Sequence, residues 1–480
     1  MAAVYAAWAL LTVLVSLLFH KKSVSLIVLS ISGLIYSYSA LIDFLHFTLF
    51  RSRITASTVY ITMETNSAET EEFFEMYLRN EQLGIAFLFF LSLLGTVLLS
   101  YRNFNLIEKL RNSLPRKNLF FIAGIAICGT FMAIGRDYFL PYVMAQSVSE
   151  FISGREELAS AGIHKNGNFK EVKHLFRGKE QTCVLVIGES TTSTHMQLYG
   201  YYRPTNPLLT TRKDELILYK NVRSPHTHTI SSLSKALTVG DHYKPHQVFN
   251  HTLIQLFNSA GFKTYFISNQ NPIGRYETTV TLLAKTSDEI IYTNASRALH
   301  DEVLLEPLAS ALADKAEKKL IILHLMGTHS YYANRYPKAY DIFHDTPKTK
   351  FHHDEAYTTI NEYDNAVIYN DYIVDTIIES VKQKTSNSYV LYFSDHGEDV
   401  YETLDEAGHT EEKGTEPMYR IPFVLWLSDD FQKADSAWTF NENLHYNLKD
   451  LPHTVADLNG IRFEGFSAER SLINKKYVEE

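Results

Sequence analysis

Two carboxylates, a threonine and three histidines stand where an α/β chain exposes chemistry, just after short apolar runs or at the start of a helix. Glu189 lies in Gly188-Glu189-Ser190, directly after the apolar run Cys183 to Ile187, and Asp395 and His396 follow the run Tyr389 to Phe393 in Ser394-Asp395-His396-Gly397-Glu398. Active groups of open α/β sheets collect at the carboxyl ends of strands. Carboxylate oxygens with one imidazole suit a divalent metal, and the imidazole tilts the choice toward Zn²⁺ or Mn²⁺ over Ca²⁺. Taken alone, an Asp-His pair after a strand is equally a turn or a helix cap. The segment Ser224 to Thr238 reads as a turn followed by an amphipathic helix whose buried stripe is Ile230, Leu233 and Leu237. That puts Thr229 at the helix start, where free N–H groups and the positive dipole end favour an anionic oxygen or a phosphate. A plain Thr N-cap is the alternative. His329 follows a further apolar run in Met326-Gly327-Thr328-His329, and His409 lies in Ala407-Gly408-His409-Thr410. In a chain with 20 histidines these two gain weight only from their places; His242, His246, His251, His352 and His353 are unassigned.

Positioning such groups requires a parallel sheet. Five short β-rich runs (183–187, 264–267, 320–323, 389–393 and 423–427) alternate with helical patterns near 229–238, 249–260, 302–317, 355–383 and 452–459. Continuous apolar strands between helices predict an α/β domain with its central sheet covered by helices on both faces. Only two cysteines, Cys128 and Cys183, occur in 480 residues, so neither a disulfide framework nor a cysteine zinc module is available. A formal net charge of -9 argues against nucleic acid as a partner.

Ahead of this domain, four stretches near 2–19, 24–50, 83–101 and 119–141 are apolar enough to cross a bilayer as helices. No basic residue precedes the first and no small-residue cleavage site follows it, which favours a retained helix over a signal peptide. Lys21 and Lys22, and the basic segment Arg102 to Lys117, mark the cytoplasmic side; the 51–81 segment with Glu64, Glu69, Glu71, Glu72 and Glu75 faces outside. The expected organisation is a membrane domain over 1–141, a polar linker over 142–180 and an extracytoplasmic domain over 181–480. Met1 then lies outside, which suggests that one preceding helix is absent.

The order of motifs, Val186 to Ser190, Leu198-Tyr199-Gly200-Tyr201, the threonine at a helix start, Gly327-Thr328-His329 and Ser394 to Glu398, resembles the bacterial inner-membrane phosphoethanolamine transferases of the alkaline phosphatase and sulfatase superfamily. The resemblance extends over essentially the whole chain. It implies zinc held by Glu189, Thr229, Asp395 and His396, with Thr229 also the nucleophile. By the same resemblance His329 and His409 match histidines around a second-metal or substrate phosphate site, and Thr65 and Glu69 match the stretch that helps hold the lipid head group. The asparagine often found one helical turn before that threonine is Ile61 here. The implied reaction takes phosphoethanolamine from phosphatidylethanolamine through a phosphoethanolamine-threonine to a sugar hydroxyl of lipopolysaccharide, with the catalytic domain in the periplasm. Ser268-Asn269-Gln270, Tyr331 to Pro337 and the lack of disulfides are most like the branch that modifies inner-core heptose.

Alternatives of the same superfamily are transfer to lipid A or a periplasmic glycan, and phosphoglycerol transfer. A sulfatase needs a Cys/Ser-x-Pro-x-Arg setting, which the surroundings of Thr229 lack. A different class, a membrane-anchored binding protein without turnover, is disfavoured because every implied metal ligand and Thr229 are retained.

Overall fold

The computed structural model describes residues 2–19, 21–50, 53–65, 70–71, 74, 80–102, 109, 119–160, 162–176, 178, 180–240, 250–270, 279–293, 300–434 and 438–479. The chain divides into two compact units, Met1–Glu156 and Glu157–Glu480.

In the first unit the described helices are α1 (Ala2–Leu18), α2 (Lys22–Phe50), α3 (Ala56–Glu64), α4 (Asn80–Arg102), α5 (Leu119–Ile134) and α6 (Leu140–Ser160), the last crossing the division. Among described residues, Ser23–Leu49 is long and apolar enough to span a membrane, and Ala3–Leu18 and Ile122–Ile134 are shorter apolar helices. Their outward faces carry large apolar side chains such as Leu10, Ile27, Leu88 and Ile127, a surface that water does not favour and a bilayer does. The span expected over 119–141 stops at Ile134, because Gly135 and the charged pair Arg136-Asp137 form a 3₁₀ turn. A new helix then starts at Leu140 with Pro141 in its first turn, where a missing N–H costs nothing. The first part of the stretch read as a polar linker is therefore helical. Its apolar residues Val143, Met144, Val148, Phe151 and Ile152 recur at helical spacing.

The second unit is built on seven strands: β1 (Gln181–Gly188), β2 (Leu216–Leu218), β3 (Lys263–Ser268), β4 (Glu289–Tyr292), β5 (Lys318–His324), β6 (Ser388–Ser394) and β7 (Phe423–Leu427). They lie in the order β2-β7-β6-β1-β5-β3-β4. β7 runs antiparallel to both neighbours, β2 and β6, and the other pairings are parallel. Period-two alternation splits the core between the two faces. Cys183, Leu185 and Ile187 of β1 enter one cluster with Leu253 and Phe257 of α8 (Leu253–Ser259) and Val455 of α11 (Leu451–Leu458). Val184 and Val186 enter the other, with Leu308 of α9 (Leu305–Ala313) and Ile360, Val367, Val374 and Val381 of the long α10 (Asp354–Lys384). The expected arrangement, a central sheet with helices on both faces, is what the chain adopts; β7 makes that sheet mixed, which the sequence reading does not anticipate. Cys128 and Cys183 are free and buried.

Candidate active site and metal centre

Four neighbouring parallel strands, β6, β1, β5 and β3, end on the same side, and each delivers a polar residue just beyond its last hydrogen-bonded pair. β1 leads to Glu189, β6 to Asp395 and His396, β5 to the turn 325–329, and β3 to Asn269 and Gln270. The fifth contribution is α7 (Thr229–Ala236), whose first residue is Thr229.

Glu189, Asp395 and His396 each offer a ligand atom to one buried cluster. His396 Nε2 stands 3.3 Å from Glu189 Oε1 and 3.5 Å from Asp395 Oδ2. The Thr229 hydroxyl donates toward both Glu189 oxygens, at 3.0 and 3.1 Å, and its oxygen is 3.5 Å from His396 Nε2. Thr229 does not cap its helix: His228 is the N-cap, without a side-chain cap bond, so the first N–H groups of α7 remain open to an incoming anion. The neighbouring hydroxyls are committed or turned away. Thr227 is buried with its oxygen 3.1 Å from His228 Nδ1, Ser232 donates to the Asp395 carbonyl at 2.5 Å, and Ser231 is exposed.

Asp395 Oδ2 is buried and accepts no hydrogen bond. An unpaired carboxylate oxygen beside a second buried carboxylate is costly unless a cation joins them. Hard oxygens and one imidazole converging on such an oxygen fit a divalent metal. The electrostatics carry the same strain. Burial and the charge of Glu189 push Asp395 up to about 7. Burial would also raise Glu189, but His396 and, more weakly, His329 and Gln270 hold it well below the carboxylate range. Burial lowers His396, yet the Asp395 and Glu189 carboxylates carry it up to about 10.

The strand ends are held by local backbone devices. Ser190 adopts φ 56° while its N–H donates to Asp395 Oδ1 at 3.1 Å, and the Tyr363 hydroxyl of α10 donates to the Ser190 carbonyl and accepts from the Thr192 N–H, both at 2.9 Å. Gly397 is packed so closely that a Cβ would meet the Pro417 carbonyl at 2.1 Å.

His409 lies beside this cluster, its ring centroid 4.2 Å from that of His396 and 5.2 Å from that of His228. Its Nδ1 is 2.6 Å from Glu398 Oε2, and Glu398 Oε1 accepts from the Tyr332 hydroxyl at 2.5 Å. Glu398 thus orients the ring and leaves Nε2 available. His396, Glu398 and His409 form a second set of potential ligands. His329 is half-buried on the turn after β5, and loss of hydration takes its imidazole down to about 4. The structure therefore gathers Glu189, Thr229, Asp395, His396 and His409 closely, with His329 at the edge. Thr65 lies just after α3 in the first unit, half-buried, and Glu69 is outside the described residues.

Residues not singled out as site groups in the sequence take part too. Gln270 donates to Glu189 Oε2 at 2.9 Å and to the Leu325 carbonyl at 3.0 Å. Glu411, two residues beyond His409, accepts from His226 Nδ1 at 2.9 Å and from the Thr227 N–H at 3.0 Å, tying the turn before Thr229 to the His409 loop. The position of Gln270 after an apolar run was the available signal for it.

Residues 181–461, more than half the chain, match the sulfatase family. The chain belongs to the sulfatase family. Among curated sulfatase-domain relatives it is similar to phosphoethanolamine transferase EptC of Escherichia coli (strain K12), 37% identical over 330 residues, covering 65% of this chain and 56% of that protein. The chain spans about half the length of the curated relatives it matches. The crystal structure of the C-terminal periplasmic domain of EptC from Escherichia coli in complex with Zn is similar at 34% identity and a TM-score of 0.62, over 65% of this chain and 91% of that one. The integral membrane protein lipooligosaccharide phosphoethanolamine transferase A (EptA) from Neisseria meningitidis shares the fold over 98% of this chain and 97% of its own, at a TM-score of 0.70 and 19% identity. A sulfatase fold whose strand ends gather two buried carboxylates and an imidazole, with one carboxylate oxygen left without a hydrogen bond, fits a metal ion.

Proposed function

We propose that this chain is a zinc-dependent phosphoethanolamine transferase of the bacterial inner membrane, with residues 1–141 in the membrane and the 181–480 domain in the periplasm. The donor is phosphatidylethanolamine and the acceptor a sugar hydroxyl of lipopolysaccharide, on inner-core heptose. The observation that carries this reading is the Thr229 hydroxyl at the open start of α7, within 3.1 Å of both Glu189 oxygens and beside the unpaired Asp395 Oδ2. The names of the similar proteins supply the transferred group.

Glu189, Thr229, Asp395 and His396 would hold the metal, which when bound lowers the pKa of a coordinated hydroxyl and offsets phosphate charge. Thr229 Oγ passes its proton to the Glu189 carboxylate to which it donates and attacks phosphorus in line. The bond from phosphorus to the diacylglycerol oxygen breaks, and phosphoethanolamine remains on Thr229. The N–H groups of the first turn of α7 face the phosphate oxygens as fixed dipoles. His409, whose Nδ1 is held by Glu398 so that Nε2 is free, supplies the proton of the leaving oxygen, while His329, kept neutral by burial, offers a hydrogen bond to phosphate charge. A sugar hydroxyl then takes the place vacated by diacylglycerol, gives its proton to the histidine that protonated the leaving oxygen, and releases Thr229, which recovers its proton from Glu189. Thr65 and Glu69 hold the donor head group at the bilayer surface.

Lipopolysaccharide from cells with and without the chain, compared by mass spectrometry, tests the reading: a phosphoethanolamine increment on the inner core is expected only with it. Purified full-length chain given phosphatidylethanolamine alone should carry the same increment on the tryptic peptide containing Thr229. No increment in either assay overturns it. A reporter active only in the periplasm, fused after Glu480, should give signal.

A further inference from the structure

Asp301 opens the 3₁₀ turn Asp301–Leu304 and is sealed from solvent beyond the carboxyl ends of β3 and β5. Its Oδ1 accepts from Asn269 Nδ2 at 2.9 Å and from the Met326 N–H at 2.8 Å; its Oδ2 accepts from the Gly327 N–H at 2.9 Å. One carboxylate therefore binds the exits of two adjacent strands.

Both exits lead to Glu189. On the β5 side, Gly327 at φ 55° lies against the Glu189 backbone so closely that a Cβ would stand 2.7 Å from the Glu189 nitrogen. The next residue, Thr328, gives the Glu189 carbonyl two bonds, from its N–H at 3.0 Å and its hydroxyl at 3.1 Å. On the β3 side, Asn269 is followed by Gln270, whose amide donates to Glu189 Oε2. Main chain and side chain of Glu189 are thus each gripped by a segment that Asp301 anchors.

We infer that Asp301 is a positioning residue for Glu189, fixing the direction of its carboxylate toward the metal through the Gly327-Thr328 turn and the Asn269-Gln270 pair. The inference rests on the zinc reading above. Asp301 touches neither metal nor substrate in this role. A ligand oriented by a second ring of contacts binds metal more tightly, and losing such a contact costs about 10–100-fold in affinity or activity.

Asp301→Asn is the informative variant because its shape is conserved while its chemistry conflicts. Three donors converge on the site, and an amide must turn its own NH₂ toward Gly327 or toward Met326 and Asn269. Asn269→Ala is the milder companion, since it removes one donor and leaves both backbone bonds. Full-length chains in detergent are measured for zinc retention against a competing chelator, for melting after metal removal, and for kcat and KM. The expected result is a roughly 10–100-fold loss of zinc affinity in Asp301→Asn and a smaller loss in Asn269→Ala. The fall in turnover should lie in kcat, with metal-free melting of Asn269→Ala lowered only modestly by the lost bonds to Asp301 and from Thr293, and by less than the loss of zinc affinity would predict. Zinc retention and kcat equal to wild type in Asp301→Asn overturn the inference, as does a drop in metal-free melting with no change in zinc affinity. Should Asp301→Asn fail to fold, Asn269→Ala decides alone: wild-type zinc retention there overturns it. A wild-type chain that neither holds zinc nor transfers phosphoethanolamine refutes the function reading instead.

Discussion

Two buried charged clusters lie within the second unit, and they are built on opposite principles. Around Asp364, His195 Nδ1 meets Oδ1 at 2.7 Å, while Arg203 and Tyr201 donate to Oδ2 at 2.8 and 3.0 Å; Glu402 stands 3.3 Å from the other face of His195. Both Asp364 oxygens are satisfied. Around Thr229, two carboxylates face each other, one oxygen of Asp395 accepts nothing, and the donors point at a shared centre. The carboxylate at the centre of the first cluster is fully paired, Arg203 Nε alone among these groups lacking an acceptor, and the cluster serves the fold. The second pairs its two carboxylates with the single His396 imidazole and leaves Asp395 Oδ2 without a hydrogen bond, the arrangement that the proposed metal would complete.

The largest effect expected separates chemistry from packing within the open cluster. Thr229→Ala should lower transfer by at least about a thousandfold, because the proposed nucleophile is gone while the pocket persists. Thr229→Ser should restore part of it, measured as increment on lipopolysaccharide.

Asparagine at the two aspartates sharpens the contrast. Asp395→Asn should empty the purified chain of zinc, from near one equivalent, while metal-free melting holds or rises because one of two opposed buried charges is removed. Asp364→Asn should do the reverse, keeping zinc and costing about 3 kcal/mol of stability by removing the buried charge that faces His195 and Arg203, although Arg203 keeps Asp345. Zinc lost equally from both variants would erase the distinction.

A smaller effect belongs to the closed cluster alone. Burial pulls the His195 imidazole down, but the Asp364 and Glu402 carboxylates carry it up to about 9, above the unfolded value near 6.5. A folded pKa raised in this way stabilises fully below pH about 6.5, and that share fades as pH climbs through 9. Melting should fall over this window by the equivalent of a few kcal/mol, and His195→Gln should flatten the profile. Smallest of all is Thr227→Ala, expected to keep activity within about threefold, because Thr227 makes no contact with the open cluster's metal-facing atoms.

The contrast also explains what the sequence disclosed. All five apolar runs became strands, since continuous Val, Ile, Leu and Phe in a doubly covered sheet carry a strong signal. The two edge strands, β2 and β4, are three and four residues long and left no comparable run. Glu189, Asp395 and His396 were legible because each directly follows a strand, and Thr229 because the Ile230, Leu233, Leu237 stripe fixes where α7 starts. Glu398 sat in the same motif as Asp395 without a role, for its partners Tyr332 and His409 come from distant segments. Asp301, Glu411 and the Asp364 cluster were hidden likewise: a lone acidic residue in a turn has no periodicity, one inside a long helix such as Asp364 reads as an ordinary polar position, and only the fold reveals what each accepts. The helix over 140–160 was masked by its polar face, which reads as a connector when composition is averaged.

The four-strand construction of the pocket sets the order of events as the chain folds. Glu189 and Asp395 are about two hundred residues apart in sequence, and their strands pair directly, so the acidic pocket exists only after the long intervening chain has looped back and β6 has docked on β1. Contacts of such separation form late, because loop closure must be met before they reward the chain. On the proposed reading a metal therefore would not nucleate this domain; it would enter a finished sheet, and its binding would report that folding is complete.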